Sequence, residues 1–233
     1  MGAAEDDARY LTRLFGFVCA LQILANLDAG VLPSVLGHVK AEFAMDFDAL
    51  GLLGALVYLG LTIGCPVSGN LVMRFQPKHV VMVSVLLNAT AVILMGSAQS
   101  VNQLMVARFL IGLSQGPIFI YAPVWVDEFA PERSQTKWMS LLQANVALGI
   151  MFGYVTGGFM TNGNPDLWRA AFFLQGGLLL PLGLGLWFVP GRFVNAEGLG
   201  GTSMELLEDE EAAAPAGGGR ARGLSALEDR RVS

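Results

Sequence analysis

Charge is what this sequence has least of. Only 14% of its 233 residues are Asp, Glu, Lys or Arg, where a soluble domain carries about 25%. That shortfall argues against a water-soluble fold and leaves no basic patch for nucleic acid. Cysteine is scarce as well. Cys19 and Cys65 both lie inside apolar runs, which reads as small hydrophobic packing and not as a disulfide or zinc framework. No glycine-rich phosphate loop ending in Gly-Lys is present, so ATP-driven chemistry of that type is not expected. The opening MGAAEDDARY is acidic where a cleaved leader would be basic. Asp6 stands where a myristoylation signal needs Ser or Thr.

What fills the chain is apolar. Hydrophobic residues make up 54%, with 29 glycines and 10 prolines, and the mean hydropathy is +0.55. Membrane helices tolerate both glycine and proline. A bilayer core of about 30 Å needs roughly 20 apolar residues of helix, and six stretches qualify: about 14–36, 50–72, 80–98, 101–126, 138–160 and 170–189. None alternates polar and apolar residues as a barrel strand would. The pattern predicts an all-α membrane protein, with a short N-terminal segment 1–13 and a six-helix transmembrane domain 14–190.

Basic residues set the predicted orientation. Arg9, Arg13, Arg74, Lys78, Arg133, Lys137 and Arg192 fall on one side, against Lys40 and Arg169 on the other. Both termini are therefore expected in the cytoplasm. His38 and His79 fall in loops on opposite faces, so no metal pair or histidine-based catalytic site is expected, and no enzyme. No cofactor is implied either. After Pro190 the apolar period ends in acidic and Gly/Ala-rich sequence, predicting a disordered cytoplasmic tail over 191–233. The triplet 88-NAT-90 fits a glycosylation pattern but lies inside the third span.

Two charged side chains remain within the spans. Asp28 interrupts 22-QILANLDAGVLPSVL-36, and Arg108 lies in the fourth span. At the centre of a membrane helix each costs at least about 2.5–3.5 kcal/mol, so each should face the bundle interior with a partner. Counted from the outer ends of their spans, Asp28 lies ~12 Å deep and Arg108 ~10 Å deep. The depths match well enough for a direct or water-bridged pair. Two readings stay open: an ion pair that only locks two helices, or a titratable carboxylate in a polar cavity. Burial favours the neutral form and a guanidinium the charged form, so protonation there can follow conformation. Asn26, Gln115, Tyr58, Gln143 and Asn145 are further polar groups that a cavity would recruit. Each alone fits a hydrogen bond between helices equally well.

Three motifs then carry a resemblance. The first is 108-RFLIGLSQG-116, with Arg108, Gly112 and Gly116 at four-residue intervals. The second is the loop holding Pro123, Glu128, Pro131 and Arg133. The third is 168-WRAAF-172, which begins with Trp168 and Arg169. In this order and on these sides of six spans, the chain resembles the N-terminal six-helix half of the major facilitator superfamily. Glycines four apart give a smooth face for close helix packing, and the pair Glu128 and Arg133 offers charges to brace helix ends. The family's loop between the second and third helices is only partly present. In 69-GNLVMRFQPK-78, Gly69, Arg74 and Lys78 match, whereas Met73, Gln76 and Pro77 depart from its aspartate, glycine and basic positions. Gly149, Gly153 and Gly157 line one face of the fifth span, and Tyr154 after the second glycine looks Spinster-like.

The resemblance implies a secondary transporter, or its N-terminal half, moving a small organic or lipid-like solute by alternating access. Asp28 would couple a proton and Arg108 would be its partner or an anion anchor. The implied partners are the lipid bilayer, the solute, and a second six-helix half or a homodimeric copy. The alternative is a truncated, non-transporting half that binds or regulates a full-length transporter.

Overall fold

The computed structural model describes residues 2–195, and the tail expected beyond them lies outside the described residues. Among the described residues there are α-helices and short 3-10 turns only. The helices are α1 (Gly2–Ala25), α2 (Leu27–Phe43), α3 (Phe47–Arg74), α4 (Pro77–Ser97), α5 (Val101–Phe129), α6 (Gln135–Thr161) and α7 (Trp168–Phe188). Helices α1 and α2 form one crossing, so six candidate membrane spans result. The expected spans stand, and their helices run several residues further: the first crossing continues to Phe43 and the fifth begins at Gln135.

Local signals set these ends. Asp46 accepts from the Ala49 amide at 2.8 Å to cap α3, Ser100 accepts from Gln103 N–H to cap α5, and Pro77 opens α4. Such side chains satisfy amides that a helix start leaves free. Ala44 closes α2 in the left-handed region at φ 49°.

Two close seams organise the bundle. On α5, Gly112 and Gly116 face Gly60 and Gly64 of α3, so closely that a methyl at Gly112 would strike the Val57 carbonyl. On α6, Gly149, Gly153 and Gly157 face Ile23, Leu27 and Ser34 of the first crossing, and a methyl at Gly153 would strike the Leu27 carbonyl. Without a hydrophobic drive between helices in lipid, association depends on such packing. Helix α4 fills the remaining side, packed on α5 and α7. The motif glycine Gly69 belongs to no seam, having open space around it.

Each end of the bundle is tied by side chains onto carbonyls. At one end Arg169 donates to Gly96 O at 2.9 Å and to Glu42 at 2.5 Å, while Trp168 Nε1 donates to the other Glu42 oxygen at 2.6 Å. The W-R-x-x-F opening thereby joins α2, α4 and α7, through a glutamate that composition alone did not single out. At the other end Lys78 Nζ donates to Trp187 O at 2.9 Å and Val189 O at 2.6 Å, closing the C-terminus of α7.

Residues 191–195, assigned from composition to the tail, are instead packed on this end. Phe193 and Val194 are buried, Trp125 Nε1 donates to Phe193 O at 2.7 Å, and Tyr121 donates to Val194 O. Tyr10 and Arg192 bring the start of α1 to the same end, through Phe193 and Asp7 respectively.

Substitutions separate seam glycines from motif glycines. Gly112→Val and Gly153→Val should each lower the thermal unfolding midpoint, by an overpacking cost of about 1–3 kcal/mol or more. Gly69→Ala should leave it in place. Unfolding of purified protein followed by tryptophan fluorescence reads both, and equal midpoints in all three would refute the seam assignment.

Candidate functional site

The first crossing is interrupted at Asn26 (φ −97°, ψ 1°). Its side-chain nitrogen donates to Gln22 O at 2.8 Å, and its backbone amide reaches the same carbonyl at 3.2 Å. Two residues later, Asp28 points into the bundle with 1% of its surface exposed. From α5, Arg108 Nη1 donates to Asp28 Oδ2 at 2.7 Å. Seven residues on, about two turns along one helix face, Gln115 Nε2 donates to Asp28 Oδ1 at 3.2 Å and to Ala25 O at 2.8 Å. From α7, Gln175 Nε2 donates to Asp28 Oδ1 at 3.4 Å and to Leu24 O at 2.8 Å. One carboxylate thus gathers donors from two other helices, and both glutamines also hold backbone next to the interruption.

The site is shielded from solvent in this conformation. Arg108 is 3% exposed, and Arg108 Nε and Gln175 Oε1 are buried without a hydrogen-bond partner. A cleft of ≈ 560 Å³ does open between α3 and α4, but its lining is apolar and includes none of these residues. The sequence left open a fixed ion pair or a carboxylate in a polar cavity, and the structure has a direct, buried ion pair there. Geometrically this is a charge-assisted cluster, one carboxylate held by a guanidinium and two side-chain amides.

Of the polar residues proposed from sequence, Asn26, Gln115 and Arg108 gather near Asp28. Tyr58 does not: it is 68% exposed on the outer face of α3. Gln143 is exposed on α6. Asn145 is buried and lies against Cys19 on α1. Glu128 and Arg133 are both exposed and, among the described residues, form no ion pair. The brace between α5 and α6 comes from Gln135 Nε2, which donates to Asp127 Oδ1 at 2.6 Å. Arg74 is exposed in the last turn of α3.

Gln175 was missed. Its signal was available, as a glutamine two turns into an otherwise apolar span, but nothing in its neighbours says that it faces Asp28. Asn88 was missed too. Discarded as a glycan acceptor, it donates to Ser114 Oγ at 3.1 Å and Ile111 O at 3.3 Å, joining α4 to α5.

The profile of the Major Facilitator Superfamily matches residues 18–221. The galactose-proton symporter of Escherichia coli (strain K12) is 28% identical over 208 residues, covering 84% of this chain and 45% of that protein. The probable sphingolipid transporter spinster homolog 1 of Arabidopsis thaliana is 26% identical over 186 residues, covering 72% and 37%. The chain thus spans less than half the length of these relatives. Among solved structures, a bacterial homologue of the human lysosomal transporter Spinster, inward-facing and unoccupied, superposes with a TM-score of 0.71 at 16% identity, over 76% of this chain and 42% of that one. A proton:xylose symporter gives 0.72 at 18%, over 87% and 50%. At such identities the likeness is one of fold.

Removing either charge exposes the energetics of the pair. Arg108→Leu leaves Asp28 buried and unpaired, which costs about 3–5 kcal/mol. The double variant Asp28→Asn/Arg108→Leu should recover a large part of that loss. Thermal unfolding of the two single variants and the double checks this, and strictly additive losses would mean the charges are not coupled.

Proposed function

Because the chain belongs to the Major Facilitator Superfamily, we propose that it is the N-terminal six-helix half of a secondary transporter that moves a small organic or lipid-like solute by alternating access. The observation that carries this reading is the Asp28–Arg108 pair at 2.7 Å, the two charges of the spans brought together among three helices. An ion pair needed only for packing gains little over apolar residues of the same shape. A charge pair whose strength depends on a proton gives conformation something to respond to.

In this reading Asp28 is the coupling carboxylate. While ionised, it holds Arg108 and both glutamines, and the first crossing, α5 and α7 move as one body. When neutral, it loses most of the electrostatic attraction to Arg108, and the half relaxes. Galactose, arabinose and sphingolipid transport named for relatives supports a small polar or lipid-like solute. The distribution of Lys and Arg supports an orientation with both termini in the cytoplasm.

Completion of the cavity needs a second six-helix body. Apolar side chains stand exposed along α3 and α6, among them Leu59, Ile63, Tyr154 and Val155, which is the kind of surface a facing half covers. The second reading keeps the six-helix chain as a product on its own. It then either pairs with a copy of itself or binds a full-length relative and regulates it.

Asp28→Asn is expected to abolish the pH dependence of solute uptake, measured per amount of protein that reaches the membrane. Uptake that keeps its normal pH profile in this variant would sink the coupling role. The mass of the endogenous protein, read by blotting with an antibody to loop 127–137, separates the two readings. A band near 24.8 kDa favours the autonomous six-helix product, and one about twice as large favours the complete transporter.

A further inference from the structure

Asp28 lies two residues past the interruption of the first crossing, and the glutamines that hold its Oδ1 also hold the backbone before that interruption. Gln175 Nε2 is shared between Leu24 O and Asp28 Oδ1, and Gln115 Nε2 between Ala25 O and the same oxygen. All of these facing atoms are acceptors while Asp28 is ionised, so each amide must present its nitrogen. That leaves the Gln175 oxygen buried with nothing to accept from, on a residue with 0% exposure.

A proton on Asp28 reverses the demand. A neutral carboxyl carries one O–H donor and needs an acceptor, which an amide nitrogen cannot be. Half a rotation of the Gln175 amide turns its unpartnered oxygen toward Oδ1 and, in the same movement, withdraws its nitrogen from Leu24 O. Gln115 keeps its hold on Ala25 O, so only one of the two backbone ties is released.

We infer that Gln175 is a positioning residue that converts protonation of Asp28 into release of the α1–α2 interruption. With Asp28 ionised, the Gln175 nitrogen ties Leu24 O to the carboxylate; with Asp28 neutral, the Gln175 oxygen accepts the carboxyl hydrogen and the carbonyl is freed. One proton is taken up at Asp28, one amide rotates, and no covalent bond other than the new O–H changes. This rests on the coupling role given to Asp28 above.

The charged neighbours leave the switch to this pair. From α5 the charged group facing Asp28 is Arg108. Helix α7 carries Arg169, engaged by Glu42 and Gly96 O at the bundle end. Helix α6 carries Lys137 in its first turn, and α4 carries Lys78 and His79 in its first turn. On the first crossing Arg13 and His38 are both more than two turns away along the helix. Both glutamines carry amides that can invert their bonding sense without moving charge, and Gln175 is the one whose oxygen is buried without a partner.

The test reads the interruption directly. Spin labels go on the exposed positions Ala20 and Gly37, as Ala20→Cys and Gly37→Cys in a Cys19→Ser/Cys65→Ser background of the whole protein in liposomes. Their separation is followed against pH alongside the infrared carboxyl band, with Asp28→Asn identifying the Asp28 component. The separation should step together with the Asp28 carboxyl, and Asp28→Asn should abolish the step. In Gln175→Met, which keeps the volume and loses the amide, the carboxyl should still titrate while the step in separation is lost.

A step in Gln175→Met equal to the wild type's overturns the proposal. So does a wild-type separation that stays fixed while the carboxyl titrates, a comparison that needs no variant at position 175; in that case the coupling role of Asp28 survives. A carboxyl that never titrates in the wild type removes the coupling role as well.

Discussion

The arrangement of the bundle depends on a single carboxylate placed where lipid and protein offer it no water. Asp28 is tolerable because Arg108 and two glutamines meet it from α5 and α7. A buried ion left without its partner is worse than either charge alone in water, by several kcal/mol. The first crossing is therefore fixed in rotation and depth: a turn of 100° about its axis would carry Asp28 out of reach of all three donors. Arg108 constrains α5 in the same way, and Gln175 constrains α7.

The glycine seams make that meeting possible. Gly112 and Gly116 bring α3 against the same α5 that carries Arg108 and Gln115, and Gly149, Gly153 and Gly157 bring α6 against the crossing that carries Asp28. Small residues set the distance between helices, and the polar cluster sets their register. Either without the other is insufficient, because seams of smooth faces slide, and a polar cluster at normal helix spacing would not close. The ties at the two ends, Arg169 with Glu42 and Lys78 with the last carbonyls of α7, then limit tilting.

How much of this was legible follows from what kind of signal each feature leaves. Six spans were legible because length and apolarity are local properties, and the Asp28–Arg108 pair because two charges in such spans have few other places to go. The loop charges Glu128 and Arg133 match a family pattern, whereas α5 and α6 meet through the Gln135–Asp127 hydrogen bond and the Trp125–Trp138 stack. Gln175 and Glu42 were not legible, since their partners lie 147 and 126–127 residues away in sequence and only tertiary packing brings them together. Tyr58 and Gln143 lie exposed on α3 and α6, away from Asp28. A polar residue in a span declares that it needs a partner, but not on which side of the helix the partner stands. Residues 191–195 are apolar enough to bury Phe193 and Val194, and composition averaged over a long tail concealed that short stretch.

Burial at this level has a consequence for the proposed coupling. A carboxylate 1% exposed and held on both oxygens is shielded from solvent in this conformation. The proposed coupling therefore calls for a second arrangement in which Asp28 meets water. That requirement suits alternating access, where a site opens to one side at a time. Sensing by a surface carboxylate would need no such movement. In the proposed coupling, the Asp28–Arg108 pair holds the site shut while Asp28 is charged, and neutralising Asp28 removes that opposition to opening.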